Sequence, residues 1–193
     1  MKPLIERALY ESISIKQKLI QQSDTIEKIA REIANRIMKG GKVILFGNGG
    51  SAADAQHIAC ELIGKFKHAR TPYPAIALTT NTSTITAIAN DMGFENIFER
   101  QVEALASEKD VVIGISTSGR SINVIKGIEA AKKKGAFTIV LTGERGEALA
   151  NMADIAIIVP SKETPRIQEA HITIGHIICE LVEELLLKRD APE

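Results

Sequence analysis

His57 and Glu61 stand four residues apart in Ala52–Phe66, a stretch of helical composition, so they share one helix face. An imidazole and a carboxylate so placed can hold a metal ion or work as acid and base. A lone H-x-x-x-E also arises by chance as a plain surface pair. A second group is Ser116-Thr117-Ser118-Gly119-Arg120-Ser121, where four hydroxyls and a glycine separate an apolar run from a helical one. Such a turn offers hydroxyl donors, free backbone N–H groups and the positive end of a helix dipole, a combination suited to phosphate. A capping turn needs one hydroxyl, not four. The turn lacks a lysine and the G-x-x-x-x-G-K-[ST] pattern, which argues against a nucleoside triphosphate.

A third group, Gly47-Asn48-Gly49-Gly50-Ser51, ends the apolar run Lys42–Phe46 and opens the helix bearing His57, with Ser51 expected as its cap. Gly47-x-Gly49-x-x-Ala52 fits the dinucleotide fingerprint, but the second strand ends Leu78-Thr79-Thr80-Asn81 without the carboxylate that would hold a ribose. No nucleotide cofactor is expected. His171 and His176, five apart on one helix, fall on opposite faces, so at most one serves a given site; His68 lies in a basic, exposed loop.

These groups need a scaffold. Short apolar runs at Lys42–Phe46, Ala75–Leu78, Asp110–Ile115, Phe137–Thr142 and Asp154–Val159 read as parallel strands covered on both faces. Helical segments at Ala52–Phe66, Thr82–Ala89, Ile97–Ala106, Ile122–Lys134 and Glu147–Met152 alternate with them. This rhythm predicts an α/β fold, a three-layer α/β/α sandwich with a five-stranded parallel sheet. Strand order 2-1-3-4-5, as in flavodoxin-like folds, would bring the glycine and hydroxyl turns to one crevice at the switch point. Two helices precede the sheet, residues 3 to about 22 and a second capped by Ser23 and Asp24 and closed by Gly40-Gly41; their surplus apolar face suggests subunit packing. A long helix from Arg166 to about Arg189, with Pro165 in its first turn, closes the chain.

The 193 residues read as one domain, with 45% hydrophobic and 25% charged residues and a formal net charge of zero. No basic block points to nucleic acid, and no segment reads as a signal peptide or membrane span. Cys60 and Cys179 both fall in helical patterns and read as reduced core thiols of a cytoplasmic protein.

The segments Gly47–Glu61, Ala89-Asn90-Asp91, Ile115–Ser121, Leu141-Thr142-Gly143 and Arg166–His176 together resemble the phosphoheptose isomerase branch of the sugar isomerase (SIS) domain family, in that family's order and spacing over nearly the whole chain. The resemblance implies a single SIS domain over 1–193, with residues 1–40 as a helical arm in oligomer contacts and a homotetramer whose sites form at subunit contacts. It implies conversion of sedoheptulose 7-phosphate to an aldoheptose phosphate for cell-surface polysaccharide, often with one zinc ion per subunit. By position it makes Glu61 and His176 the base and acid, and His57, Glu61, Gln168 and His176 the metal ligands. Ser116, Thr117, Ser118 and Ser121 become the phosphate loop, and Asn48, Gly49, Gly50, Ser51, Glu61, Asp91 and Gln168 further substrate contacts. Two positions depart from one common form of the pattern: Lys65 stands where an arginine can occur, and Pro165 replaces an acidic residue. The alternative within the family is a non-catalytic member that binds the replication initiator DnaA; the presence of both Glu61 and His176 favours the enzyme. Gln168 and His176 are eight apart, about 12 Å of rise on a straight helix, so shared coordination requires convergence, a bend or a second subunit.

Overall fold

The computed structural model describes residues 1–190, with side chains through Lys188; the last three residues of the single-domain reading lie outside it. The strands are β1 (Val43–Gly47), β2 (Ala75–Ala77), β3 (Val111–Ser116), β4 (Phe137–Gly143) and β5 (Ile155–Val159), all parallel in the order β2-β1-β3-β4-β5. The helices are α1 (Lys2–Leu19), α2 (Ser23–Met38), α3 (Gly50–Ile63), α4 (Thr82–Met92), α5 (Ile97–Leu105), α6 (Ile122–Lys133), α7 (Glu147–Ala150) and α8 (Thr164–Asp190).

Alternation along each strand separates two cores. Val43 and Leu45 of β1, Ile113 and Ile115 of β3 and Leu141 of β4 face α2, α3 and α8. Ile44 and Phe46, Val112 and Val140 face α5, α6 and α7, where Phe46 stacks on Phe98 with ring centroids 4.9 Å apart. The sheet is covered on both sides, as near-continuous apolar strands require.

Local chemistry moved several expected boundaries. Lys42 and Asp110 stand just before β1 and β3 and hold each other: the Lys42 backbone N–H and Nζ both reach the Asp110 carboxylate at 2.8 Å. Burial pushes that carboxyl up, but the bonds from Lys42 and Ser107 outweigh it and hold it below its usual value. Asp154 likewise precedes β5, accepting from the Thr138 N–H and hydroxyl. β2 ends at Ala77, short of the expected Leu78, and α7 is a single turn rather than reaching Met152.

Neither serine expected as a helix cap acts as one. Ser23 is already helical, and its hydroxyl donates back to the Ile20 carbonyl because a 3₁₀ turn, Ile20–Gln22, carries α1 into α2 without a break. The Gly40-Gly41 stop holds: Gly40 has φ +79°, and the N–H groups of Gly40 and Gly41 close onto Ile37 and Arg36.

The apolar stripe of α2 (Ile26, Ile29, Ala30, Ile33, Ala34) is buried inside the subunit, so most of the surplus apolar face lies on α1. There Leu4, Ile5, Leu9 and Ile13 remain exposed. A groove of about 470 Å³ runs between α1, α2 and α8, lined largely by apolar side chains such as Leu19, Ile26, Ile177 and Leu181. Cys179 is buried, its thiol pushed up to about 12 chiefly by burial and by the nearby Glu61 charge. Cys60 is exposed rather than in the core, since it projects from the outer face of α3. Among the described residues no helix is long and apolar enough to cross a membrane.

Candidate functional site

β1 and β3 pair with Gly47 opposite Ile115, so the glycine and hydroxyl turns leave the sheet side by side. Gly49, at φ +56°, is the residue that caps α3, which starts the helix before Ser51. Ser51 is therefore helical, buried against Gly47, where a Cβ would come within 2.8 Å of the serine Cβ. In the second turn Ser116 Oγ donates to Ser121 Oγ at 3.1 Å, and the Arg120 N–H donates to Ser118 Oγ at 3.2 Å. Ser121 precedes α6 without capping it through its side chain. Gly119 is required twice over, by φ +66° and by the Gly146 Cα that a Cβ would meet at 2.3 Å.

The two turns are locked together by a residue the sequence reading passed over. Asn48 and Asn123 exchange side-chain amide hydrogen bonds at 2.8 and 2.9 Å, with Asn123 buried in the first turn of α6. An asparagine just inside a helix gives no signal of such a long-range partner. The resulting crevice, about 250 Å³, is lined by Asn48, Gly49, Gly50, Ser51, Ser116, Thr117 and Ser121, with Thr164 and Gln168 of α8 closing it. Gln168 presses so close to Gly50 that a Cβ there would lie 2.3 Å from its amide nitrogen.

Further along α3 and α8 a second cluster forms. His57 Nε2 lies 3.1 Å from Glu61 Oε1 and 3.1 Å from His176 Nε2, and the two imidazoles meet edge-on. One ligand atom from each of His57, Glu61 and His176 lies within 4.8 Å of the others, which fits a divalent ion of the zinc type in ligand chemistry and spacing. α8 is one continuous helix, so within one subunit Gln168 lies at the crevice, about 12 Å of rise from His176, and not beside the cluster.

Asp54, one turn before His57, also escaped the sequence reading. Burial raises its carboxyl to about 6, the charge of His57 pulling it down, and Oδ2 is buried without a hydrogen-bond partner. Its spacing of three from His57 and seven from Glu61 was the available signal.

His171 points away from His176, as the spacing required; it is fully buried, and burial lowers its imidazole to about 4 against the pull of the Thr142 backbone. His68 is exposed and within reach of Glu184. Asp91 is exposed near the end of α4, accepts from Asn90, and forms no hydrogen bond or ion pair with a crevice residue among the described residues.

Residues 10–143 match the SIS domain model. The chain is 55% identical to the phosphoheptose isomerase of Aquifex aeolicus (strain VF5), over 96% of this chain and 97% of the relative. Identity to that of Clostridium acetobutylicum (strain ATCC 824) is 50% over the full length of both. Among solved structures, the phosphoheptose isomerase GmhA of Neisseria gonorrhoeae superposes with a TM-score of 0.89 at 40% identity, covering 95% of this chain and 98% of that one. The phosphoheptose isomerase of Francisella tularensis gives 0.91 at 38% identity, covering 94% and 97%.

Proposed function

We infer the chemistry from one premise: this chain belongs to the SIS-domain family, among its phosphoheptose isomerases. It is an aldose–ketose isomerase that converts D-sedoheptulose 7-phosphate to D-glycero-D-manno-heptose 7-phosphate, the heptose precursor of cell-surface polysaccharide. Identity over the full length of both chains is the observation that carries this reading.

The residues divide the work by distance. The hydroxyl turn, with Ser116, Thr117, Ser118 and Ser121, takes the phosphate. Asn48, Gly49, Gly50, Ser51 and Gln168 line the path to the cluster. The separation of about two helical turns between crevice and cluster is of the order of an extended seven-carbon sugar phosphate. Glu61 removes a proton from C1 of the ketose, and the electron pair becomes the C1–C2 double bond of an enediolate. His176 carries a proton from the C1 hydroxyl to the C2 oxygen, and return of the first proton to C2 completes the aldose. Held by His57, Glu61 and His176, a divalent ion such as zinc would supply Lewis-acid polarisation of the carbonyl. A carboxylate drawn to such an ion is a weaker base, so the two roles of Glu61 compete.

Assembly follows from the exposed face of α1. Leu4, Ile5, Leu9 and Ile13 need cover, and a homotetramer provides it. Asp91, which does not line the crevice within one subunit, joins the site where subunits meet. The working compartment is the cytoplasm, consistent with two free thiols. Incubation of the purified protein with sedoheptulose 7-phosphate, with detection of aldoheptose phosphate, tests the function; absence of product in metal-supplemented protein would refute it and return attention to a binding role such as that toward DnaA.

A further inference from the structure

Arg70 and Glu183 form a buried pair, 2% and 1% exposed, with Nε 2.8 Å from Oε1. The rest of the guanidinium gathers the end of α3: one terminal nitrogen donates to the Glu61 carbonyl at 2.9 Å, the other to the Leu62 and Thr71 carbonyls at 2.9 and 3.0 Å. Its plane lies over the Tyr73 ring, 3.8 Å from the centroid. Glu183 in turn accepts three successive backbone N–H groups, from Phe66 at 3.1 Å, Lys67 at 2.8 Å and His68 at 3.0 Å. Glu183 follows His176 by seven residues, two turns along the same face of α8. The ring of Phe66, held at its backbone by Glu183, lies 5.8 Å from the imidazole of His176.

We propose that the Arg70–Glu183 pair is a positioning device for proton transfer, fixing the end of α3 that carries Glu61 against the face of α8 that carries His176. This rests on the reading of Glu61 and His176 as base and acid. A planar fork is needed, because one group must meet a carboxylate and several carbonyls in fixed directions; a lysine ammonium at Arg70 would keep the charge and lose the pattern. Glu183 must be ionised, since all its partners are donors. A displacement near 1 Å between reacting groups costs about 10²-fold in rate, so slack in this clamp appears in turnover before it appears in binding.

The test uses Arg70→Lys and Glu183→Gln in the full chain, with Glu61→Gln alongside. Competent sites are counted by calorimetry with arabinitol 5-phosphate, a phosphorylated polyol without a carbonyl, and turnover is referred to that count. The expected result is KM within about threefold of the parent chain and kcat per competent site down by about tenfold or more. A clamp with a merely structural role would lower the melting temperature and leave kcat per site unchanged, and that result overturns the proposal. Retained turnover in Glu61→Gln would sink the acid–base reading itself. An inactive Glu61→Gln beside fully active Arg70→Lys and Glu183→Gln would sink the positioning role alone. Should neither clamp variant fold, Phe66→Leu probes the same linkage without disturbing a buried charge; reduced kcat at unchanged KM supports the proposal and unchanged kcat overturns it.

Discussion

The Nε2 atoms of His57 and His176 lie 3.1 Å apart although 119 positions separate the two residues in the chain. At that distance one ring must donate and the other accept. Two imidazolium rings would repel, whereas two neutral lone pairs and the Glu61 carboxylate could be satisfied together by one divalent cation.

Metal binding follows from this convergence. Protein prepared without chelator should carry zinc or a similar divalent ion, near one per subunit by elemental analysis. Loss of a supporting partner typically costs ~10- to 100-fold in metal affinity, and His176→Ala removes a ligand itself, so its affinity should fall by at least that much. Metal content unchanged in His57→Ala and His176→Ala would place the ion elsewhere.

Glu61→Gln preserves size and one oxygen while removing the basic form. Turnover should drop by ~10² to 10⁴-fold, and exchange of the substrate C1 proton with heavy water should disappear while binding persists. Exchange that survives in this variant would move the base to another residue, with His176 the nearest candidate.

At the hydroxyl turn, Ser121→Ala removes the acceptor of the Ser116 hydroxyl and a donor to phosphate. Binding of phosphorylated ligand should weaken by ~1 kcal/mol or more. Calorimetry that finds Ser118→Ala and Ser121→Ala indistinguishable from the parent chain would exclude this turn as the phosphate site.

Acid stability should fall in two successive, overlapping windows. The buried His171 imidazole sits at about 4 against an ordinary value of 6.5, so below pH 6.5 the unfolded chain takes up a proton that the folded chain refuses. Stability is then lost as pH falls from 6.5 to about 4, by ~3 kcal/mol at most. For Glu183, burial pushes the carboxyl up, but the N–H groups of Lys67, Phe66 and His68 and the Arg70 guanidinium together hold it below 4.5. Its contribution is present above pH 4.5 and is lost below, as pH falls through the lowered folded value. Denaturant titrations of His171→Leu should show a flatter slope between pH 6.5 and 5; an identical slope would exclude His171 as its source.

Light scattering should find a tetramer at micromolar concentration. Charged substitutions on α1, such as Leu9→Asp with Ile13→Asp, should reduce its mass. A monomeric parent chain would contradict both the tetramer and any sharing of sites between subunits.

The sequence by itself determined the layer order and the two special turns, because both are written in local terms. Parallel strands buried on both faces are continuously apolar, a strand can stop on Gly47-Asn48-Gly49-Gly50 or on the hydroxyl run after Ser116, and His57 and Glu61 share a face by helical period alone. What stayed hidden depends on which surfaces meet. Nothing near Asn123 announces its exchange of hydrogen bonds with Asn48, and nothing near Arg70 announces Glu183, 113 residues away. The stripe of α2 looked surplus because its period shows that a face is apolar but not what covers it; packing against α8 and the sheet consumed it. Cys60 looked buried for the same reason, since hydrophobic composition around a residue does not say which side of the helix turns outward. Only the tertiary structure placed Gln168 at the crevice against Gly50 within one subunit, because α8 is one unbroken helix whose first turns close that crevice.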